Sequence, residues 1–335
     1  MYEGGVAKIS SSHTKFFVTR SEKITITNKM RTNIFKGYGV AVVTPFTPEG
    51  NIDFFALREH ILDLLNQGCV DYLCVLGTTA ETPTLSEEEK EMVMDTFVET
   101  VDGRVPLLLG CGSNNTRQLC EYLATANLDS FDGVLVVAPY YNKPSQEGLY
   151  RHFAAVADAS PLPIVLYNIP GRTGVNLLPE TVVRLANDFE DIVAIKEASG
   201  NLQQVEQILA DAPDGFGVIS GDDAIALETA LLGGDGLISA TGNAFAEEMG
   251  ELVHAALEGR YDAALDIHRS MAEIFRLAFA EGNPAGVKCM MHYRGMCSNV
   301  LRLPLVPVSE KTNKAIVTAL QVLGVNAQDA KYNDC

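Results

Sequence analysis

Across residues 35–243, short apolar runs rich in Val, Ile and Leu alternate in a regular order with longer stretches whose apolar positions recur at helical spacing. The short runs are nearly continuous in apolar character rather than alternating, which is how strands buried on both faces of a parallel sheet read. They end near Thr44, Gly77, Gly110, Ala138, Tyr167, Lys196, Gly221 and Ser239. Between the first two, Leu57, Ile61, Leu64 and Leu65 fall at i, i+4, i+7 and i+8, with Asp53 placed to cap the helix and Gly68 to stop it. Ser86-Glu87-Glu88-Glu89 has the spacing of a capping box, and further helical stretches lie at about 116–128, 145–158, 178–188, 201–211 and 223–232. Eight strand-then-helix units predict an α/β fold, a closed (β/α)8 TIM barrel rather than an open sheet. From residue 244 the strand pattern ceases. Stretches 244–259, 261–280, 284–295 and 311–323 read as helices of a C-terminal region (244–335) packed on the barrel (35–243), with Asn283-Pro284 starting one of them as proline favours in a first turn. Residues 1–34 lack sustained periodicity and read as a polar extension outside the fold, disordered or not native, with Met30 as an alternative start.

Composition narrows the function classes. The chain is 47% hydrophobic over 335 residues, enough for a large core. Its 25 Lys+Arg against 43 Asp+Glu leave a net charge of −18, which argues against nucleic acid and anionic membrane as partners. The seven cysteines are odd in number and scattered, with no CxxC pair, so neither a disulfide framework nor a zinc site is indicated and a reducing cytoplasm fits. No run is long and apolar enough for a membrane span. There is no glycine-rich dinucleotide fingerprint after a first strand, so no cofactor is implied.

In a barrel of this kind the active site gathers at the carboxyl ends of the strands. Ile192-Val193-Ala194-Ile195 leads straight into Lys196. A lysine amine titrates near 10.4 in water, so only about one in 2,500 is neutral at pH 7; burial that lowers this value makes a Schiff-base nucleophile. The alternative is a strand-end lysine that snorkels to solvent or pairs with Glu197. Other strand ends supply Gly77-Thr78-Thr79-Ala80-Glu81, Tyr140-Tyr141-Asn142-Lys143, and Tyr167-Asn168-Ile169-Pro170-Gly171-Arg172. Imine chemistry on a small keto acid needs a proton donor and acceptor beside the lysine, which Tyr167, Thr78 and Tyr141 can form as a phenol–hydroxyl–phenol relay. A bound carboxylate wants backbone N–H groups and hydroxyls, which Thr78-Thr79 can present, or a bidentate guanidinium, which Arg172 can supply. Bland readings stand beside these: the tyrosine pair as packing and a turn, Arg172 as a solvated charge, the threonines bonding local backbone. Gly221-Asp222-Asp223 resembles a metal site but reads better as a helix cap, so no metal is assigned; the six histidines sit mostly in helical patterns, none at a strand end.

The combination of these segments is recognisable. From Phe35 to about Pro307 the chain resembles the dihydrodipicolinate synthase family of pyruvate-dependent class I aldolases and lyases. The segments that carry the likeness are Gly39 to Phe46, Gly77 to Glu81, Pro139 to Gly148, Tyr167 to Gly174, Ile195 to Ala198, Ser220 to Asp223, Asn283-Pro284 and Leu301 to Pro304. The resemblance implies that Lys196 forms the Schiff base with pyruvate and that Tyr167 moves protons beside it. Thr78 and Tyr141 would complete the relay, the latter reaching in from a neighbouring subunit. Thr79 and Ile238 match positions that hold pyruvate, and Arg172 matches the arginine receiving the carboxylate of the incoming aldehyde. The implied partners are pyruvate, L-aspartate-4-semialdehyde and further copies of the chain, as a tetramer built as a dimer of dimers. Within the superfamily the alternatives are N-acetylneuraminate lyase and 2-keto-3-deoxy sugar-acid aldolases, and outside it a barrel that binds a keto acid without turnover. Two departures stand out: Ala80 where many relatives have glycine, and Glu87 and Lys90 where feedback-inhibited relatives often carry histidine in a lysine-binding site that Asn114 and Tyr140 still match. Lys90 repels an ammonium group and Glu87 attracts one, so weak or absent lysine inhibition is expected.

Overall fold

A computed structural model of the chain describes residues 33–325. Nearly all of the predicted N-terminal extension and the alternative start at Met30 lie outside the described residues. Eight strands close in sequence order into a parallel barrel: β1 (Gly37–Ala41), β2 (Tyr72–Val75), β3 (Leu107–Cys111), β4 (Gly133–Val137), β5 (Ile164–Asn168), β6 (Ile192–Glu197), β7 (Gly217–Ser220) and β8 (Gly236–Ser239). The ring is completed by β8 pairing with β1, Gly37 opposite Gly236 and Gly39 opposite Ile238. The helices among the described residues are α1 (Phe54–Asn66), α2 (Glu87–Val101), α3 (Thr116–Thr125), α4 (Gln146–Ala159), α5 (Pro170–Thr173), α6 (Pro179–Asp188), α7 (Leu202–Asp211), α8 (Ala226–Leu231), α9 (Ala246–Leu257), α10 (Tyr261–Phe279), α11 (Ala285–Tyr293) and α12 (Glu310–Val322).

Although the strands are apolar throughout, period two still sorts their side chains into two cores. Val40, Leu73, Leu109, Val136, Leu166, Ile195 and Val218 face outward into the layer between barrel and helices. Tyr72, Cys74, Leu108, Leu135, Val165, Tyr167, Ala194 and Ile219 fill the barrel interior. Phe35 closes the amino end of that interior, its ring edge-on to Tyr72 at 5.5 Å. Gly39 makes room for Tyr72, since a Cβ there would stand 2.3 Å from the tyrosine ring.

Local signals place the helices. The Asp53 carboxylate accepts from the Ala56 N–H at 2.9 Å, and α1 buries Leu57, Ile61 and Leu64. The capping box at Ser86 forms in both directions: Ser86 Oγ accepts from the Glu89 N–H, and Glu89 accepts from the Ser86 N–H. Four details differ from the expectation. β1 ends before Thr44 because the Val43 N–H leaves the ladder for the Asn243 side chain. The stretch at 223–232 begins as a 3-10 turn, Asp223–Ile225, because the Asp223 carboxylate is drawn to Ser239 and Thr241. α5 is an extra short helix, closed by Gly174 at φ 74°. Pro284 stands at the cap of α11 rather than inside its first turn: its carbonyl accepts from the Lys288 N–H, but its own φ of −99° lies outside the helix.

α9 packs on β1 and β8, and α10, α11 and α12 pack successively against it and one another. No described helix is long and apolar enough to cross a membrane.

Candidate active site at the carboxyl ends of the strands

Lys196 and Glu197 are neighbours on β6 and therefore point to opposite faces. Glu197 points outward, where Oε2 accepts from Asn168 Nδ2 and Gln204 Nε2, both at 2.8 Å, and Oε1 accepts from the Ser199 N–H at 2.6 Å. The reading in which Glu197 neutralises Lys196 is thereby excluded, since the carboxylate is spent behind the strand. Lys196 points inward, 6% exposed, in register with Tyr167 on β5, and its Nζ stands 4.6 Å from the Tyr167 ring centroid. An ammonium over a ring face is attracted by the ring quadrupole, which holds the amine beside the phenol without a counter-charge. Gly221 permits this placement: a Cβ there would lie 2.9 Å from Lys196 Cε and 3.0 Å from Cγ. Cys74 lies deeper in the barrel; burial pushes its thiol up to about 11, against the pull of Lys196.

After β2 the chain folds into a 3-10 turn, Thr78–Ala80, that carries both threonines. Thr44 Oγ1 donates to the Ala80 carbonyl at 2.8 Å, and Thr82 Oγ1 donates to the Gly77 carbonyl at 2.9 Å. Thr79 Oγ1 accepts from Asn283 Nδ2 at 2.9 Å, so its own proton stays available to a ligand. Arg172, on α5, is exposed; its Nη2 donates to the Asn283 carbonyl at 3.2 Å. Asn283 thus ties the turn after β2 to the arginine after β5. The methyl of Ala80 is harmless here, because the left-handed residue of the turn is Glu81, at φ 55°. Ile238 is buried on β8, inside the barrel.

Tyr141 does not join this group within one chain. It is 88% exposed at φ 76°, its N–H donating to the Thr173 carbonyl, and among the described residues Tyr167 makes no hydrogen bond to it or to Thr78. Beside it, Tyr140 is also exposed and its carbonyl accepts from Asn114 Nδ2 at 3.3 Å. Glu87 and Lys90 pair with each other, Oε1 to Nζ 2.8 Å, on the first turn of α2.

Three residues with no role assigned from the sequence, Asn283, Lys288 and Arg302, reach the turn from the C-terminal side, the last two through Glu81, itself without an assigned role. Lys288 Nζ donates to Glu81 Oε1 at 2.5 Å, both side chains wholly buried, and the Arg302 N–H donates to Glu81 Oε2 at 3.0 Å. Burial pushes the Lys288 amine down from its ordinary value and the Glu81 carboxylate pulls it back up. In sequence Lys288 is one position of an ordinary helical pattern, and only its distant partner distinguishes it.

A family model described as the dihydrodipicolinate synthetase family matches residues 34–323. The 4-hydroxy-tetrahydrodipicolinate synthase of Parabacteroides distasonis is 50% identical over 290 residues, 87% of this chain and 97% of its own length. Among solved structures, the dihydrodipicolinate synthase of Thermotoga maritima superposes with a TM-score of 0.84 at 40% identity, over 88% of this chain and 100% of that one. The enzyme from Cyanidioschyzon merolae, solved with lysine bound, superposes with a TM-score of 0.83 at 34% identity, again over 88% and 100%. A barrel with a lysine inside its mouth, matched by that model over most of its length, belongs to the dihydrodipicolinate synthetase family.

Proposed function

We infer that this chain is a 4-hydroxy-tetrahydrodipicolinate synthase, a lyase of lysine and diaminopimelate biosynthesis joining pyruvate to L-aspartate-4-semialdehyde, and that Lys196 is its nucleophile. The observation that carries the assignment of Lys196 is its position: inside the barrel mouth, against the Tyr167 ring, with the adjacent carboxylate of Glu197 engaged elsewhere. The amine attacks the pyruvate carbonyl, and loss of water leaves a protonated imine. That imine withdraws electrons from the neighbouring methyl, whose proton departs to give an enamine. The enamine carbon bonds to the aldehyde carbon, and the amine of the second substrate then displaces Lys196 to close the ring.

Tyr167 is the group beside the imine for proton transfer, with Thr78 as its relay. Thr79 and the backbone near Ile238 receive the pyruvate carboxylate, and Arg172 receives that of the aldehyde. Tyr141, turned to solvent in the single chain, serves the site of a second copy, which makes a dimer the smallest competent assembly and a dimer of dimers the working one. The barrel, 35–243, carries the chemistry and the helices from 244 support it, in a cytoplasmic enzyme. Lys90 Nζ stands 2.8 Å from Glu87 Oε1 and offsets that carboxylate's attraction for a lysine ammonium, so inhibition by lysine is weak; complete inhibition at submillimolar lysine overturns that reading.

The test is turnover of pyruvate with aspartate semialdehyde, coupled to dihydrodipicolinate reductase, beside a Lys196→Ala control. Turnover that vanishes in the control is the expected result. Trapping of pyruvate on Lys196 by borohydride without turnover of this aldehyde would retain the imine and replace the second substrate.

A further inference from the structure

The turn that carries Thr78 and Thr79 ends in a residue that does not favour its own backbone conformation. Glu81 sits at φ 55°, in the left-handed region, where a side chain with a Cβ is strained and persists only if its surroundings hold it there. Its carboxylate is the handle. Oε1 accepts from Lys288 Nζ and Oε2 from the Arg302 N–H, so both oxygens are taken by the segment that follows the barrel. Lys288 is fixed in turn: Nζ also donates to the Val300 carbonyl at 3.0 Å and lies 4.1 Å from the centroid of the Phe46 ring. The Arg302 guanidinium stands over the same ring at 4.6 Å, donates to the Gly50 and Thr84 carbonyls, and forks onto Glu89 at 2.6 and 2.7 Å.

A surface lysine would do none of this. Two opposite charges buried together gain geometry rather than much net stability, since the desolvation of both offsets most of their attraction. What this pair supplies is a fixed position for the one residue from which the threonine turn hangs. We propose that Lys288 is a positioning residue for the reaction, acting through the Glu81 carboxylate to hold Thr78 and Thr79 where the keto acid's carboxylate and the imine proton must be met. The proposal rests on the assignment of Lys196 and its neighbours above. It adds that the helices after the barrel set the geometry of the keto-acid subsite through one buried ion pair.

Three variants test it. Lys288→Met leaves a lone buried carboxylate and loses both stability and activity. Glu81→Gln/Lys288→Met removes both charges at nearly constant volume, so its melting temperature returns close to the wild-type value. In that double variant the pyruvate KM stays at least tenfold raised and the rate of borohydride trapping at low pyruvate stays at least tenfold reduced. Wild-type pyruvate KM and trapping rate in the folded double variant overturn the proposal and leave the pair a structural contact. Should the double variant fail to fold, Glu81→Gln alone decides between the same two outcomes: a folded protein with wild-type pyruvate KM overturns the role. If the wild-type chain itself does not trap pyruvate, the assignment of Lys196 falls and this proposal with it; trapping in the wild type and equal trapping in the variants removes the positioning role alone.

Discussion

Lys196 and Lys288 are both buried, and the protein uses them in opposite ways. Lys196 lies in the barrel mouth with a phenol ring as its neighbour. Lys288 lies behind the mouth, in the seam between the barrel and the C-terminal helices, with a carboxylate at 2.5 Å, a carbonyl and an aromatic face around it. Burial is the same in kind and the partner differs. The carboxylate locks Lys288 in place through a charged hydrogen bond, whereas Lys196 has no carboxylate against it and its amine is left facing the mouth. The difference shows that in this fold a buried lysine is left free of a counter-charge when its nearest carboxylate is turned away, which is what the nucleophile proposed above requires. Strand alternation does that to Glu197, and Asn168, Gln204 and the Ser199 N–H keep it there.

The comparison breaks most directly at Lys196. Lys196→Ala is expected to lower turnover by roughly 10^5-fold or more and to abolish pyruvate trapping, with the melting temperature nearly unchanged, as steady-state kinetics, mass spectrometry and calorimetry would show. Turnover within tenfold of wild type would move the nucleophile elsewhere. Next comes the phenol beside it: Tyr167→Phe keeps the ring under the amine and removes only the hydroxyl, and kcat should fall by about 10^3-fold while pyruvate still traps.

At the other lysine the loss should appear first in stability. Lys288→Met strands the Glu81 carboxylate in the interior, which is expected to remove about 3–5 kcal/mol in urea denaturation, far more than any surface ion pair. A loss below about 1 kcal/mol would mean that water reaches Glu81. Smaller again is the effect of Gly221→Ala, whose added methyl meets the Ala198 Cβ at 2.7 Å and the Lys196 stem at 2.9 Å, so that the flexible lysine gives way more than the backbone. Displacing the amine by about an ångström should lower kcat about 10^2-fold with the fold intact. Least of all, Glu89→Gln weakens the half-buried clamp on Arg302 without touching the buried pair, and should shift stability by about 1 kcal/mol or less with pyruvate KM unchanged.

Which of these residues could be seen in the sequence follows from how far apart their partners lie along the chain. Lys196, Tyr167, Thr78, Thr79 and Arg172 stand at strand ends, and in a closed parallel barrel all strand ends share one rim, so the order of elements alone gathers them. The helix caps at Asp53 and Ser86 were legible for the same reason, each being satisfied within three residues. Glu81 and Lys288 are 207 positions apart, and Asn283 and Thr79 are 204 apart. No local periodicity encodes such pairs, and Lys288 read as one more polar position on a helix.

Apolar runs buried on both faces, broken by capped amphipathic helices, determined by themselves that this chain closes into a (β/α)8 barrel with a lysine at the end of the sixth strand. Only the tertiary structure decided that this lysine stands apart from Glu197, because which face a strand residue takes is set by register within the closed ring. It also decided that a second lysine is locked from behind, because a buried charge must find its opposite wherever in the chain the fold brings it.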